Sequence, residues 1–419
     1  MMRAALLLPS LLLPASAETL YEHEYGQHGI DAGIDDGEIY DPTYQREGDA
    51  AAPGFATGYF LTADAAGPDH AKCLDGTPPV YYHTPGWGDG KDKWFIHQQG
   101  GGWCYSIQDC VGRSKGSLGS TSKDPKTRNL GGGYFAFDNK SNPLMWNWNK
   151  IEIRYCDGAS VSGDRVDQEP SSKLWFRGRA ILDAEIKSIL TDRGMSKATD
   201  VVVSGCSAGG LATFLHCDHW AAAIGKATTT MSGAGAKVAC MPDSGFFLDE
   251  DRSPTYHSKM RNVYKFQQSS SAGLNAACVE AHKGDEGGSW KCIFAQWSAA
   301  HIKTPTFPMQ SQYDSWQSGN VMGGFDPGGN VNTTENAFGK NLTALVVSQL
   351  LSQPQHGIFL DSCHHHCGNW DGSMIEGELI GTALQKWYNM GSQKLPNKGF
   401  YNQNKPFPCA ECCKPQPAY

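Results

Sequence analysis

A serine set among small residues, Gly205-Cys206-Ser207-Ala208-Gly209-Gly210, follows the apolar run Val201-Val202-Val203-Ser204 and precedes an amphipathic stretch. Strand, sharp turn and helix, with a hydroxyl at the tip, is the sequence form of a nucleophile elbow. The chemistry it serves is acyl transfer through a covalent serine ester. Glycine-serine turns are common, so the rest of the chain has to supply a base, an acid to orient it and donors for an oxyanion.

In α/β-hydrolases the acid and then the histidine follow the serine along the chain, on loops after later strands. Asp361-Ser362-Cys363-His364-His365-His366-Cys367 directly follows the apolar residues 357–360, where the base is expected. Spacing alone leaves His364, His365 and His366 equally open. A metal site is the competing reading of this His/Cys run, but no second Cys/His cluster completes a tetrahedral set. His216 and His219 fall on the elbow helix and read as ordinary helix contacts, while His301 and His356 are less well placed. For the acid, Asp314 stands after the strand-like run that begins at Phe307 and before a loop; Asp243, Asp326 and Asp361 read as caps or turn residues. The oxyanion donors expected are the Ala208 N–H and N–H groups of the cluster Gly100-Gly101-Gly102-Trp103, which ends the strand at residues 94–97. Cys104 and Cys110 are close enough in sequence to staple that loop.

These residues need a sheet to carry them. Residues 94–97, 151–155, 201–204 and 357–360 read as strands. Ile181, Leu182, Ile186, Ile189 and Leu190 share one helical face, closed by Arg193-Gly194; residues 342–351 and 374–388 read as further helices. Strands alternating with helices of this length predict an α/β fold, α/β-hydrolase-like, with a mainly parallel central sheet flanked by helices. Residues 319–332 and the stretch after residue 393 read as surface loops.

The 419 residues suffice for one large core or two modest ones, and a formal charge of −8 gives no basic face for nucleic acid. Arg3, the apolar residues 4–13 and Ala15-Ser16-Ala17 form a secretory signal over residues 1–17, too short to span a bilayer. Residues 18–54 follow as an acidic leader, 55–393 as the catalytic domain and 394–419 as a Cys/Pro/Lys tail. Fourteen cysteines fit an oxidising compartment and are compatible with seven bridges; Asn139, Asn332 and Asn341 head glycosylation triplets. The expectation is a secreted, disulfide-braced enzyme with no metal or organic cofactor and no membrane span.

Four blocks together resemble the pectin acetylesterase family, whose animal relatives include the Notum carboxylesterases. They are residues 73–82 leading to Gly100–Cys104, then Arg154-Tyr155-Cys156-Asp157-Gly158, then residues 205–218, and last Tyr313–Gln317 with Ser362–Cys367. The resemblance implies Ser207 as nucleophile, Asp314 as acid and His366, rather than its two neighbours, as base. It places the oxyanion hole at Gly102, Trp103 and Ala208. Gly368 after His-Cys and Ser311-Gln312 before Tyr-Asp depart from the plant-type pattern. The activity implied is hydrolysis of O-acetyl esters on a cell-wall or extracellular polysaccharide. The alternatives are a Notum-like deacylase of longer acyl chains and a catalytically inactive binding protein with the same fold.

Overall fold

The computed structural model describes residues 54–62, 71–250, 254–269, 273–285, 288–322, 331–390 and 399–413. The expected signal segment, almost all of the leader and Asp326 lie outside the described residues.

The strands are β1 (Phe55–Phe60), β2 (Val80–Thr84), β3 (Lys93–Gln98), β4 (Thr127–Asn129), β5 (Asn149–Ile153), β6 (Asp200–Cys206), β7 (Lys237–Asp243), β8 (Met309–Ser311), β9 (Ile358–Asp361), β10 (Met374–Ile375), β11 (Glu378–Leu379) and β12 (Phe400–Asn402). Ten of them form one sheet in the order β12-β9-β8-β7-β6-β3-β5-β2-β1-β4. From β12 to β5 every neighbouring pair is parallel. β2, β1 and β4 extend that edge antiparallel. The α-helices are α1 (Ile107–Arg113), α2 (Gly178–Asp192), α3 (Ala208–Ser232), α4 (Pro254–Phe266), α5 (Ala276–His282), α6 (Ala295–Ser298), α7 (Ser315–Asn320), α8 (Val331–Leu350) and α9 (Ile380–Asn389). This is the α/β-hydrolase-like architecture, mainly parallel and helix-flanked.

The strands read as continuous apolar runs because both faces of the sheet are covered. Val201 and Val203 of β6 pack on one face with Ile181 of α2, Leu215 of α3 and Leu342 of α8. Val202 turns to the other face, with Leu384 and Trp387 of α9. The period of two along a strand sends neighbours to opposite cores. Each buried aliphatic side chain of this kind contributes roughly 1.5–3 kcal/mol.

Three sequence expectations shift. The last helix begins at Ile380 rather than near residue 374, because Glu376 and Gly377 both hold positive φ (52° and 80°) and close a two-residue hairpin between β10 and β11. The stretch after residue 393 is not wholly surface loop: β12 adds a parallel edge strand beside β9, and Cys363–Cys413 ties its continuation to the histidine-rich run. A three-residue parallel strand has no local periodicity, so only its distant partner defines it. α8 also starts earlier than residue 342 and absorbs residues 331–341.

All fourteen cysteines are paired in seven bridges, with none free. Cys104–Cys110 is the expected staple of the glycine loop. Among the described residues no helix is long and apolar enough to cross a membrane.

Candidate active site

β6 enters the elbow and α3 leaves it, and Ser207 between them takes φ 57° and ψ −121°. A non-glycine residue held there costs on the order of 1–3 kcal/mol, which the surroundings must impose. They do so by crowding. A Cβ on Gly209 would lie 2.0 Å from the Gln98 carbonyl oxygen of β3, and one on Gly210 would lie 2.3 Å from that of Asp243 in β7. The glycines of the motif are therefore required by the close approach of neighbouring backbone. Ser207 N–H donates to the Asp243 carbonyl at 2.9 Å and Leu211 N–H to the Ser207 carbonyl at 2.8 Å, so the turn is pinned on both sides.

The structure brings Ser207, His366 and Asp314 together. His366 Nε2 lies 2.8 Å from Ser207 Oγ. Its Nδ1 lies 2.9 Å from each carboxylate oxygen of Asp314. Asp314 ends the loop after β8 and caps α7, accepting the Gln317 N–H at 3.0 Å; the Gln310 amide donates to its other oxygen at 3.0 Å. That carboxylate is fully buried, and the His366 side chain is 13% exposed. Burial alone lowers the His366 pKa, but the Asp314 charge and hydrogen bond outweigh it, and the net shift is upward from the ordinary value. An imidazole so placed can take a proton from the serine hydroxyl while its charged form is stabilised from behind.

The neighbouring histidines are differently engaged. His365 Nε2 is 3.1 Å from both oxygens of Asp361, four residues back. Burial works against its charge, yet Asp361 lifts its pKa to about 9, leaving it cationic near neutrality and unable to act as a base. His364 packs edge-on to Phe407. Cys363 and Cys367 are both bridged, to Cys413 and Cys206. Of the other histidines, His216 is buried, His219 bonds Asp183 at 2.7 Å, and His356 lies between Thr306 and Ile302.

The glycine loop lies against the elbow, since a Cβ on Gly100 would sit 2.9 Å from that of Ser207. Gly101 and Gly102 hold φ of 134° and 64°, which favour glycine. Arg113 donates to the Gly101 carbonyl and the Tyr155 hydroxyl to that of Gly102, each at 2.8 Å. In a trans peptide the following N–H points the opposite way. The N–H groups of Gly102 and Trp103 are thus turned away from those anchors, and neither they nor the Ala208 N–H find an acceptor among the described residues. The Trp103 indole donates to Ser160 Oγ at 2.8 Å, which donates to the Ala208 carbonyl at 2.7 Å, binding loop to elbow. Arg113 and Ser160 escaped the sequence reading; Tyr155 sits in a quoted block, but nothing local marks its target.

Beside this centre stands a wall of rings. Trp103 packs on Phe247 at 4.9 Å and Trp316 at 5.7 Å between centroids, and Tyr256 closes behind Trp316 at 5.7 Å. Phe247 and Trp316 each approach the His366 ring at 6.1 Å.

Sheet, elbow and relatives together define the class: an α/β-hydrolase-like carboxylic ester hydrolase. The chain belongs to the pectinacetylesterase family, whose sequence model matches residues 59–414. It is similar to pectin acetylesterase 11 of Arabidopsis thaliana, 34% identical over 361 residues that cover 79% of this chain and 86% of the relative. Pectin acetylesterase 5 of the same plant is 32% identical over 372 residues, covering 82% of each chain. The palmitoleoyl-protein carboxylesterase notum2 of Xenopus laevis is 26% identical over 359 residues, 82% of this chain and 70% of that one.

Proposed function

We propose that this protein is a secreted serine esterase that removes O-acetyl groups from pectin or a related acetylated polysaccharide. The observation that carries the reading is the continuous hydrogen-bonded line Ser207–His366–Asp314 beside unpartnered N–H groups. Ser207 Oγ attacks the acetyl carbonyl carbon as His366 Nε2 takes its proton. The oxyanion accepts from Gly102, Trp103 and Ala208 N–H groups. As the tetrahedral species collapses, the sugar oxygen leaves with the proton from His366 and the acetyl group stays on Ser207. Water, deprotonated by His366, then attacks the ester, releases acetate and restores the hydroxyl. Asp314 fixes the tautomer and supports the imidazolium.

The relatives named pectin acetylesterase support the acetyl reading. The rings of Trp103, Phe247, Tyr256 and Trp316 pack on one another beside His366. On p-nitrophenyl esters, kcat/KM is expected to be highest for acetate and to fall steadily through butyrate and octanoate. A maximum at eight carbons would favour the longer-chain deacylase. Acetate release from a panel of acetylated polysaccharides, with Ser207→Ala protein as control, tests the substrate class.

The pH profile carries a second expectation. His366 acts as a base only when neutral, and Asp314 raises its pKa. Activity therefore falls as pH drops through a value above the ordinary imidazole pKa of about 6.5. A plot of kcat/KM for an uncharged ester against pH should show that acid limb; a limb centred below the ordinary value contradicts the assignment.

Seven disulfides support an oxidising compartment for the folded chain, consistent with secretion. Asn139, Asn332 and Asn341 are all exposed, as glycan acceptors need to be.

A further inference from the structure

Ser207 and His366 meet across 159 residues of chain. Both stand at turns with positive φ, at Ser207 (57°) on one side and at Cys367 (59°) and Gly368 (70°) on the other. Short turns of this kind do not hold a 2.8 Å contact by themselves. What holds them is a set of ties that converge on the same few atoms. The disulfide Cys206–Cys367 joins the residue just before the serine to the residue just after the histidine. Asp243, at the end of β7, acts on both partners: its backbone carbonyl accepts the Ser207 N–H and its carboxylate accepts the Gly368 N–H, each at 2.9 Å. Ser244 Oγ accepts the Cys367 N–H at 2.9 Å and lies 3.0 Å from Asp243 Oδ1, so its own proton is committed to that carboxylate. Asp243 is 1% exposed, and a Cβ on Gly245 would meet the Gly210 backbone at 2.3 Å, so the 243–245 segment has no room to drift from the elbow.

We infer that Asp243 is a positioning residue for the ester hydrolysis, the hub of a clamp with Ser244 and Cys206–Cys367 that sets His366 against Ser207. This rests on the reading of Ser207 and His366 as nucleophile and base. Asp243 touches neither substrate nor reacting atoms; it works through the backbone on one side and the histidine turn on the other.

The clamp also has an electrostatic side. The charged groups that face His366 are Asp314 and Asp243, which favour its protonated form, and His365, which opposes it. Burial pushes the Asp243 carboxyl up to about 6, against its Gly368 hydrogen bond and the nearby His365. Above that value the carboxylate is ionised and holds the His366 pKa up.

The test compares Asp243→Asn, Ser244→Ala and the Cys206→Ala/Cys367→Ala double variant with the parent on p-nitrophenyl acetate. Asp243→Asn keeps the shape and removes the charge, so two changes are expected together. kcat falls by about 10–10²-fold with KM little altered, the size of loss that a misplaced base gives. The acid limb of kcat/KM also moves to lower pH, which loss of folded protein does not produce. Ser244→Ala and the double-cysteine variant should lower kcat at near-constant KM, and Ser244→Ala supplies this readout should Asp243→Asn not fold. Parent-like kcat in Asp243→Asn and Ser244→Ala overturns the inference, and so does a loss of kcat in Asp243→Asn with the acid limb unmoved. Failure of the underlying reading looks different: Ser207→Ala would then stay active whatever Asp243 does.

Discussion

Ser207→Ala is expected to lower kcat on p-nitrophenyl acetate by about 10⁴–10⁶-fold while the thermal unfolding midpoint stays within a few degrees of the parent. The reason lies in which contacts the hydroxyl makes. The hydrogen bond recorded for Ser207 Oγ is the one to His366, whereas the ties that fix the turn belong to the Ser207 backbone: its N–H to Asp243 and its carbonyl from Leu211. Alanine keeps the backbone ties. It also keeps the Cβ, so the strain of φ 57° and ψ −121° is neither relieved nor increased. The residual rate would come from the oxyanion donors and binding alone. Steady-state kinetics and a thermal melt on the same preparation check both halves, and retention of more than a tenth of kcat contradicts the nucleophile assignment.

Asp314→Asn is expected to cost about 10⁴-fold in kcat through the tautomer of one ring. In the parent the carboxylate accepts the Nδ1 proton of His366, which leaves Nε2 bare to receive the serine proton. An amide nitrogen turned toward Nδ1 favours the other tautomer, with a proton on Nε2 aimed at Ser207. Asparagine still caps α7 through the Gln317 N–H, but its amide nitrogen then faces the Gln310 amide that the lost oxygen accepted, at a cost of about 1–3 kcal/mol. Asp314→Ala differs in kind: it also loses the cap, at about 1 kcal/mol of stability. The comparison of kcat and unfolding midpoint for the two variants separates orientation from scaffold. An Asp314→Asn enzyme within tenfold of the parent contradicts the role given to this residue.

The parts of this architecture that local pattern reveals are those whose causes are local. β6, the elbow and α3 form one contiguous strand-turn-helix, and α2 shows a single apolar face ended by Gly194 at φ 89°. What local pattern does not reveal depends on partners far along the chain. The residues alone do not choose among His364, His365 and His366; the structure separates them because Asp361 captures one and Asp314 another. Fourteen cysteines allow too many pairings for Cys206–Cys367 to be read from spacing, although each lies beside a motif residue. Asp243 reads as a turn residue at the end of a strand, and its tie to Gly368 joins residues 125 apart. β12 is invisible for the same reason: its three residues gain meaning only from β9.

If Ser207 carries the acyl group during turnover, a fluorophosphonate should abolish esterase activity stoichiometrically, with mass mapping of the digest placing the adduct on the peptide that carries Ser207 and with labelling slowed strongly in Asp314→Asn. Full inactivation with the adduct on another serine, or an active enzyme that resists labelling at Ser207, would contradict that role.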